Sequence, residues 1–148
     1  MTFAAMIVGL AYGISLVLKE GMIIDSIIYG LFTPLQHVSP IVSAIGMMCS
    51  QAALHLLVPS TSGQAVLTMP ILAPLSDLIG LSRDVCVMAF QYGAGLMDMI
   101  VPTNGALMAV IAIAGISYDK WFAFVLKLLL AIMIFNATIL VVAVVMGV

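Results

Sequence analysis

Val58-Pro-Ser-Thr-Ser-Gly-Gln64 and Val101-Pro-Thr-Asn-Gly105 each interrupt a long apolar stretch, and neither contains a charge. Aqueous loops between membrane helices usually carry charge, and these carry hydroxyls, amides and glycine instead. They also rhyme: Val58-Pro59-Ser60-Thr61 against Val101-Pro102-Thr103-Asn104, each with a glycine close behind. Non-helical backbone at membrane depth is tolerated only inside protein or against a water-filled cavity. Two such interruptions in one chain point to the binding site of a secondary transporter. The competing reading is a pair of ordinary polar turns between full membrane spans.

The surrounding composition supplies the membrane. Of 148 residues, 65% are hydrophobic and 7% are charged, against roughly a quarter charged in a soluble domain. Mean hydropathy is +1.35. Four basic and six acidic side chains cannot keep this much apolar surface in water. A soluble enzyme and a disordered chain are excluded. A net charge of −2 with scattered Lys and Arg leaves no basic patch for nucleic acid. A membrane helix needs about 20 apolar residues, so the chain holds roughly four or five crossings. The apolar runs are too continuous for the alternating strands of a barrel. Cys49 and Cys86 both lie in such runs and read as small buried hydrophobes rather than a metal site or disulfide.

The whole chain reads as a single all-α membrane segment. Residues 1–18 carry no charge and form a membrane helix ending at Lys19-Glu20, with Gly9 and Gly13 as a GxxxG pair. No basic leader precedes them, which argues against a signal peptide. A chain that opens inside an apolar run is expected to be the tail of something longer. Residues 20–33 suit an amphipathic helix, too short to span, lying at the interface or tilted and buried, and Pro34 ends it. Residues 39–80 suit a re-entrant hairpin with its tip at 59–64, although the first arm, Pro40–Val58, is long enough to cross. Residues 85–116 would make one helix about 48 Å long, well beyond the roughly 30 Å hydrocarbon core. A single crossing broken at 102–105 uses that length better. Residues 121–148 form a last span, with Tyr118, Lys120 and Trp121 as interfacial anchors and Lys127 snorkelling to the same surface.

The candidate substrate- and ion-binding residues follow from the breaks: Ser60, Thr61, Ser62, Gly63 and Gln64 in the first, Thr103, Asn104 and Gly105 in the second. Unwinding frees carbonyls for cations and exposes helix N-termini that attract anions. Ser62, Thr103 and Asn104 are expected oxygen ligands for a possible Na⁺; no other cofactor is expected. Asp98 joins the set because intramembrane carboxylates are costly and usually functional. It would serve as cation ligand, proton carrier or partner of a cationic substrate; alternatively the helix unwinds early and Asp98 caps a neighbouring half-helix. His55 either protonates during transport or is a neutral core histidine bonded to backbone. Gln64 and Gln91 bind substrate or tie helices together, and Asn136 suits helix packing. Asp77, Arg83 and Asp84 read as solvated groups near a boundary. Lys19 and Arg83 on one side against Lys120 and Lys127 on the other leave the orientation undecided by charge. Nothing suggests a catalytic nucleophile, and no enzyme activity is expected.

The stretch from His55 through the tip to Asp77 resembles the C-terminal half of YfcC-type transporters, in the C4-dicarboxylate anaerobic carrier group of the ion transporter superfamily. Ala89-Phe-Gln-Tyr-Gly93, Val101-Pro-Thr-Asn-Gly-Ala-Leu-Met108 and Tyr118-Asp-Lys-Trp121 add to the likeness, which runs over essentially the whole chain. The resemblance implies part of the second inverted repeat of an elevator-type carrier: arm, re-entrant hairpin, broken helix and flanking spans. It also puts the hairpin mouth and the C-terminus outside. Related sodium–dicarboxylate carriers have a Ser-Asn-Thr signature at their tips; here the tip reads Ser60-Thr61-Ser62-Gly63-Gln64, without the Asn. The expected protein is the C-terminal portion of a multi-pass secondary active transporter in the cell's inner (plasma) membrane. Its cargo would be a small organic anion or amino acid, coupled to Na⁺ or H⁺. Its partners would be that small molecule, the lipid bilayer, and a missing N-terminal repeat or a second copy of the chain, with no nucleic acid. The alternatives are a non-transporting membrane subunit or an inert truncated fragment of such a carrier.

Overall fold

The computed structural model describes residues 23–148, together with Gly13, Leu16, Val17, Glu20 and Gly21. The expected first span, 1–18, otherwise lies outside the described residues. Among the described residues the chain is all helical: α1 (Ile23–Phe32), a 3-10 turn (Thr33–His37), α2 (Pro40–His55), α3 (Thr61–Ile79), α4 (Arg83–Met97), α5 (Gly105–Ala114) and α6 (Tyr118–Met146).

Local chemistry sets these boundaries. Pro34 stops α1, but the chain continues as a 3-10 turn, and the Thr33 hydroxyl donates back to Tyr29 O at 2.6 Å. Pro40 stands at the start of α2, where its missing N–H costs nothing. Ser60 caps α3 by accepting from Gly63 N at 3.2 Å, and Ser82 caps α4 by accepting from Val85 N at 3.1 Å. The φ of 73° at Gly80 and 67° at Gly115 is left-handed, which only glycine adopts cheaply, so α3 and α5 stop there. Between α3 and α4, Arg83 makes a two-pronged pair with Asp77 (Nε–Oδ1 3.1 Å, Nη2–Oδ2 2.7 Å). The guanidinium holds the Asp77 carboxyl below the usual carboxylate range.

The second break begins earlier than 102–105. Helix α4 ends at Met97 and the irregular segment is 98–104, with Gly105 already the first residue of α5. The last turn tightens as Met99 N and Ile100 N donate to Leu96 O and Met97 O, three residues back. The freed carbonyls of Met99 and Ile100 are taken by side chains from the start of α6: Trp121 Nε1 donates to Met99 O at 2.9 Å and Tyr118 Oη to Ile100 O at 2.5 Å. Tyr118 and Trp121 therefore hold the break, where the sequence suggested only interfacial anchors.

The core lies where α2 packs along α4, with α6 against both. Met47, Leu54, Leu72, Val85, Ala89 and Leu140 are fully or almost fully buried there. On α6 the buried side chains form one stripe, Val125, Leu129, Asn136, Leu140 and Ala143, at three-, four- and seven-residue spacing. Asn136 lies on this packing face, while Phe124, Ile134, Phe135 and Val145 are exposed. At 29 residues, α6 is the one helix among those described that is long and apolar enough to cross a membrane. Helices α2, α4 and α5, with 16, 15 and 10 residues, are about 24, 22 and 15 Å long, too short to span alone.

Candidate functional site

Asp98 lies where the two irregular segments meet. It is the C-cap of α4, so its side chain leaves the helix as the backbone unwinds. Thr61, the first residue of α3, donates its hydroxyl to Asp98 Oδ2 at 2.7 Å. Asn104, the N-cap of α5, donates Nδ2 to Asp98 Oδ1 at 3.1 Å and to Asp98 O at 3.2 Å. The carboxyl group thus meets the N-terminal ends of two helices, where the helix dipole favours negative charge. Its side chain is 37% exposed.

His55 closes the arrangement from below. The last residue of α2, it is fully buried, with Nε2 2.8 Å from Asp98 Oδ1 and Nδ1 2.8 Å from Gln64 Oε1. Its partners are side chains, where the sequence left open a bond to backbone. Gln64 Nε2 donates to Gln51 O at 2.8 Å and to Gln51 Oε1 at 2.6 Å. Thr68 Oγ1 donates to Gln64 O at 2.9 Å. Gln51, Gln64 and Thr68 are buried, so this polar chain runs through apolar packing with nearly every group satisfied. Among the described residues, two buried side-chain atoms have no partner: Gln51 Nε2 and Thr103 Oγ1. An unpaired buried polar group costs about 1–3 kcal/mol, so these two atoms are available to a ligand or water.

Of the nine residues singled out in the sequence, the structure gathers Thr61, Gln64, Asp98 and Asn104 into one network. Ser60 and Gly63 close the cap of α3, Ser62 is exposed on its first turn, and Gly105 starts α5. Thr103 is in the break with its hydroxyl buried. The Asn104 carboxamide oxygen that a cation would need accepts from Ala106 N (3.0 Å) and Leu107 N (3.3 Å). Gln91 is exposed. The sequence reading did not place Gln51 and Thr68 in the site, and it left His55 open between protonation during transport and a place in the core. A signal was present: Gln51/His55 and Gln64/Thr68 are both polar pairs four residues apart in apolar helices, so each pair shares one helix face.

Tyr118→Phe removes one donor from the break and should cost about 0.5–1.5 kcal/mol, the usual contribution of one such bond. Amide exchange at residues 98–104 should rise while exchange in α2 stays unchanged. Equal protection of 98–104 in the variant and the parent would show that the tyrosine does not hold this segment.

The family model for the C4-dicarboxylate anaerobic carrier, DcuC, matches residues 1–145. An uncharacterized protein of Haemophilus influenzae (strain ATCC 51907 / DSM 11121 / KW20 / Rd) is 36% identical over 140 residues, 95% of this chain and 27% of that protein. A protein of Escherichia coli (strain K12), YfcC, named provisionally as a basic amino acid antiporter, is 35% identical over 152 residues, 99% of this chain and 30% of that protein. The chain thus spans less than a third of the length of these curated relatives. No solved structure matches. With nearly its full length matched, this chain belongs to the C4-dicarboxylate anaerobic carrier family, whose members are membrane transporters.

Proposed function

We propose that the chain is the C-terminal portion of a multi-pass secondary active transporter of the inner membrane, moving a small organic anion or an amino acid coupled to Na⁺ or H⁺. The observation that carries this reading is the junction at Asp98. There the N-terminus of α3 and the unwound segment 98–104 meet on a partly exposed carboxyl group. Broken helices facing each other are how carriers present backbone and helix ends to cargo at membrane depth. In this reading 39–80 is a re-entrant hairpin, 85–116 a broken span, and 1–18 and 121–148 flanking spans, arranged as in an elevator-type carrier.

Two cargo classes fit. The family description names C4-dicarboxylates, and an anion would rest on the N-termini of α3 and α5, on Thr61 and on Thr103. The name of the Escherichia coli relative points to basic amino acids. Asp98 favours that class, since among the described residues no Lys or Arg hydrogen-bonds the junction and a carboxyl group attracts an ammonium. The polypeptide purified intact from its own membrane and reconstituted in proteoliposomes decides the matter with radiolabelled succinate and lysine as probes. The expected result is saturable counterflow of at least one probe. No counterflow of either would favour a non-transporting subunit or an inert fragment.

A further inference from the structure

We propose that His55 and Asp98 form a proton-binding site, holding one proton between Nε2 and Oδ1. Given the carrier reading above, this proton is the coupling ion.

The assignment starts from a backbone carbonyl. Gln51 O can only accept, and Gln64 Nε2 lies 2.8 Å from it. The amide end of Gln64 therefore faces Gln51, and Oε1 faces His55 Nδ1 at 2.8 Å. A carbonyl oxygen can only accept as well, so Nδ1 carries a hydrogen. A neutral imidazole with its hydrogen on Nδ1 has a bare lone pair on Nε2. An ionised carboxylate has no hydrogen either, yet Nε2 and Asp98 Oδ1 are 2.8 Å apart. Two lone pairs repel at that distance. A second hydrogen therefore lies on this axis, on one atom or the other. With it the pair is imidazolium and carboxylate or imidazole and carboxylic acid, and both have zero net charge. Without it the pair has a charge of −1.

Among the described residues, the neighbours give no other source of positive charge at the pair. On α2 the other ionisable group is Cys49, which is exposed. Helix α3 contributes Asp77, already paired with Arg83. On α4, Arg83, Asp84 and Cys86 stand near the start, with 11 or more residues between them and Asp98, which is about 18 Å or more of helix. Tyr92 of α4 is half-buried and makes no bond to the pair. On α6 the Tyr118 hydroxyl is on Ile100 O, and Asp119, Lys120 and Lys127 are exposed. The 3-10 turn contributes His37, and α1 contributes Tyr29 and Asp25; His37 and Tyr29 are exposed. The ring side of the pair is fully buried, where an uncompensated charge is costly, and the proton is what brings the pair to zero net charge.

Proton exchange has a route and a consequence. His55 is fully buried while the Asp98 side chain is 37% exposed, so the proton enters and leaves on the carboxyl side. Its departure opposes the two lone pairs and breaks the link between the end of α2 and the break. Thr61 and Asn104 then hold the carboxylate alone. Proton occupancy and the fit of the hairpin against the broken helix are thereby tied together.

The test uses the intact polypeptide in lipid nanodiscs with ¹⁵N-labelled histidine, the His55 signal being assigned by its loss in His55→Gln, together with infrared detection of a protonated carboxyl. The expected spectra show a hydrogen on Nδ1 throughout. They also show one further proton, as imidazolium or as a carboxylic acid band, that disappears as the pH is raised. In Asp98→Asn the carboxamide donates to Nε2, so that titration should be lost and the ring should stay neutral with its hydrogen on Nδ1. A wild-type ring protonated only on Nε2 overturns the proposal even if the variant does not fold, and so does a titration that Asp98→Asn leaves unchanged. In Na⁺-free proteoliposomes, a pH gradient should drive accumulation of lysine or succinate, and a protonophore should abolish it. Accumulation driven only by a Na⁺ gradient overturns the coupling role. Absence of transport under every gradient, with the spectra as expected, would remove the carrier reading and leave the proton-binding site standing.

Discussion

Gly93→Ala should lower the stability of the folded chain by about 1–3 kcal/mol or more, the usual cost of forcing a methyl group into a filled interior. Gly93 lies on α4 where α2 crosses it. A Cβ there would run into the carbonyl oxygen of Met48, with Gln51 Cβ at 2.9 Å and Ala52 N at 3.1 Å. Most of these obstacles are backbone and cannot rotate away, so the two helices must separate. Small residues line the rest of this contact, with Ala44, Ala52, Ala89 and Ala94 all buried. That is the usual device for close helix approach where lipid removes the hydrophobic drive for association. The damage should reach the site as well, because Gln51 is part of the crossing and also accepts from Gln64. Gly46→Ala is the control. Its Cβ meets Leu35 Cδ2 at 2.5 Å, the far end of a flexible side chain, so the leucine can turn aside. Thermal midpoints in detergent should fall well below the parent for Gly93→Ala and only slightly for Gly46→Ala. A parent-like midpoint for Gly93→Ala, or a reversed order, would mean that α2 and α4 do not approach as described.

Each break was legible from the residues inside it, while its boundaries and partners were not. Pro59-Ser60-Thr61 and Pro102-Thr103-Asn104 stand out because they are polar and uncharged within apolar sequence, and the helix starts at Thr61 and Gly105 follow from the capping residues just before them. The end of α4 was hidden, because the freed carbonyls of Ile100 and Met99 are taken by Tyr118 and Trp121, which lie 18 and 22 residues beyond them. Asp98 stood out as a carboxylate in apolar surroundings. Its link to His55 spans 43 residues and depends on α2 and α4 lying side by side. A glycine at 93 permits that contact, and sequence alone does not say which helix a glycine admits. Asn104 shows the same limit, because its oxygen caps α5, a use set by local backbone geometry.

His55→Ala should be costly for a different reason, with a loss of about 2–4 kcal/mol. Removing the ring leaves Gln64 Oε1 without its donor in a fully buried position, and one such orphaned acceptor costs about 1–3 kcal/mol. The remainder is the space of a fully buried ring together with the lost bond to Asp98. That bond counts for less than a deeply buried pair would, because the carboxyl side is 37% exposed and retains Thr61 and Asn104. A double-mutant cycle separates these contributions. His55→Ala and Asp98→Ala each remove their one shared contact, so the double variant should be less damaged than the sum of the singles, with a coupling of about 0.5–3 kcal/mol. His55→Ala with Gln64→Leu should also fall short of additivity, because the leucine has no orphaned oxygen. Strict additivity in both cycles would mean that the ring only fills space. Coupling to Gln64 without coupling to Asp98 would confine the histidine to a structural part within α2 and α3. Coupling to both would establish the bridge from the buried glutamines to the unwound segment, which is the connection that a proton on the Nε2–Oδ1 axis makes and breaks.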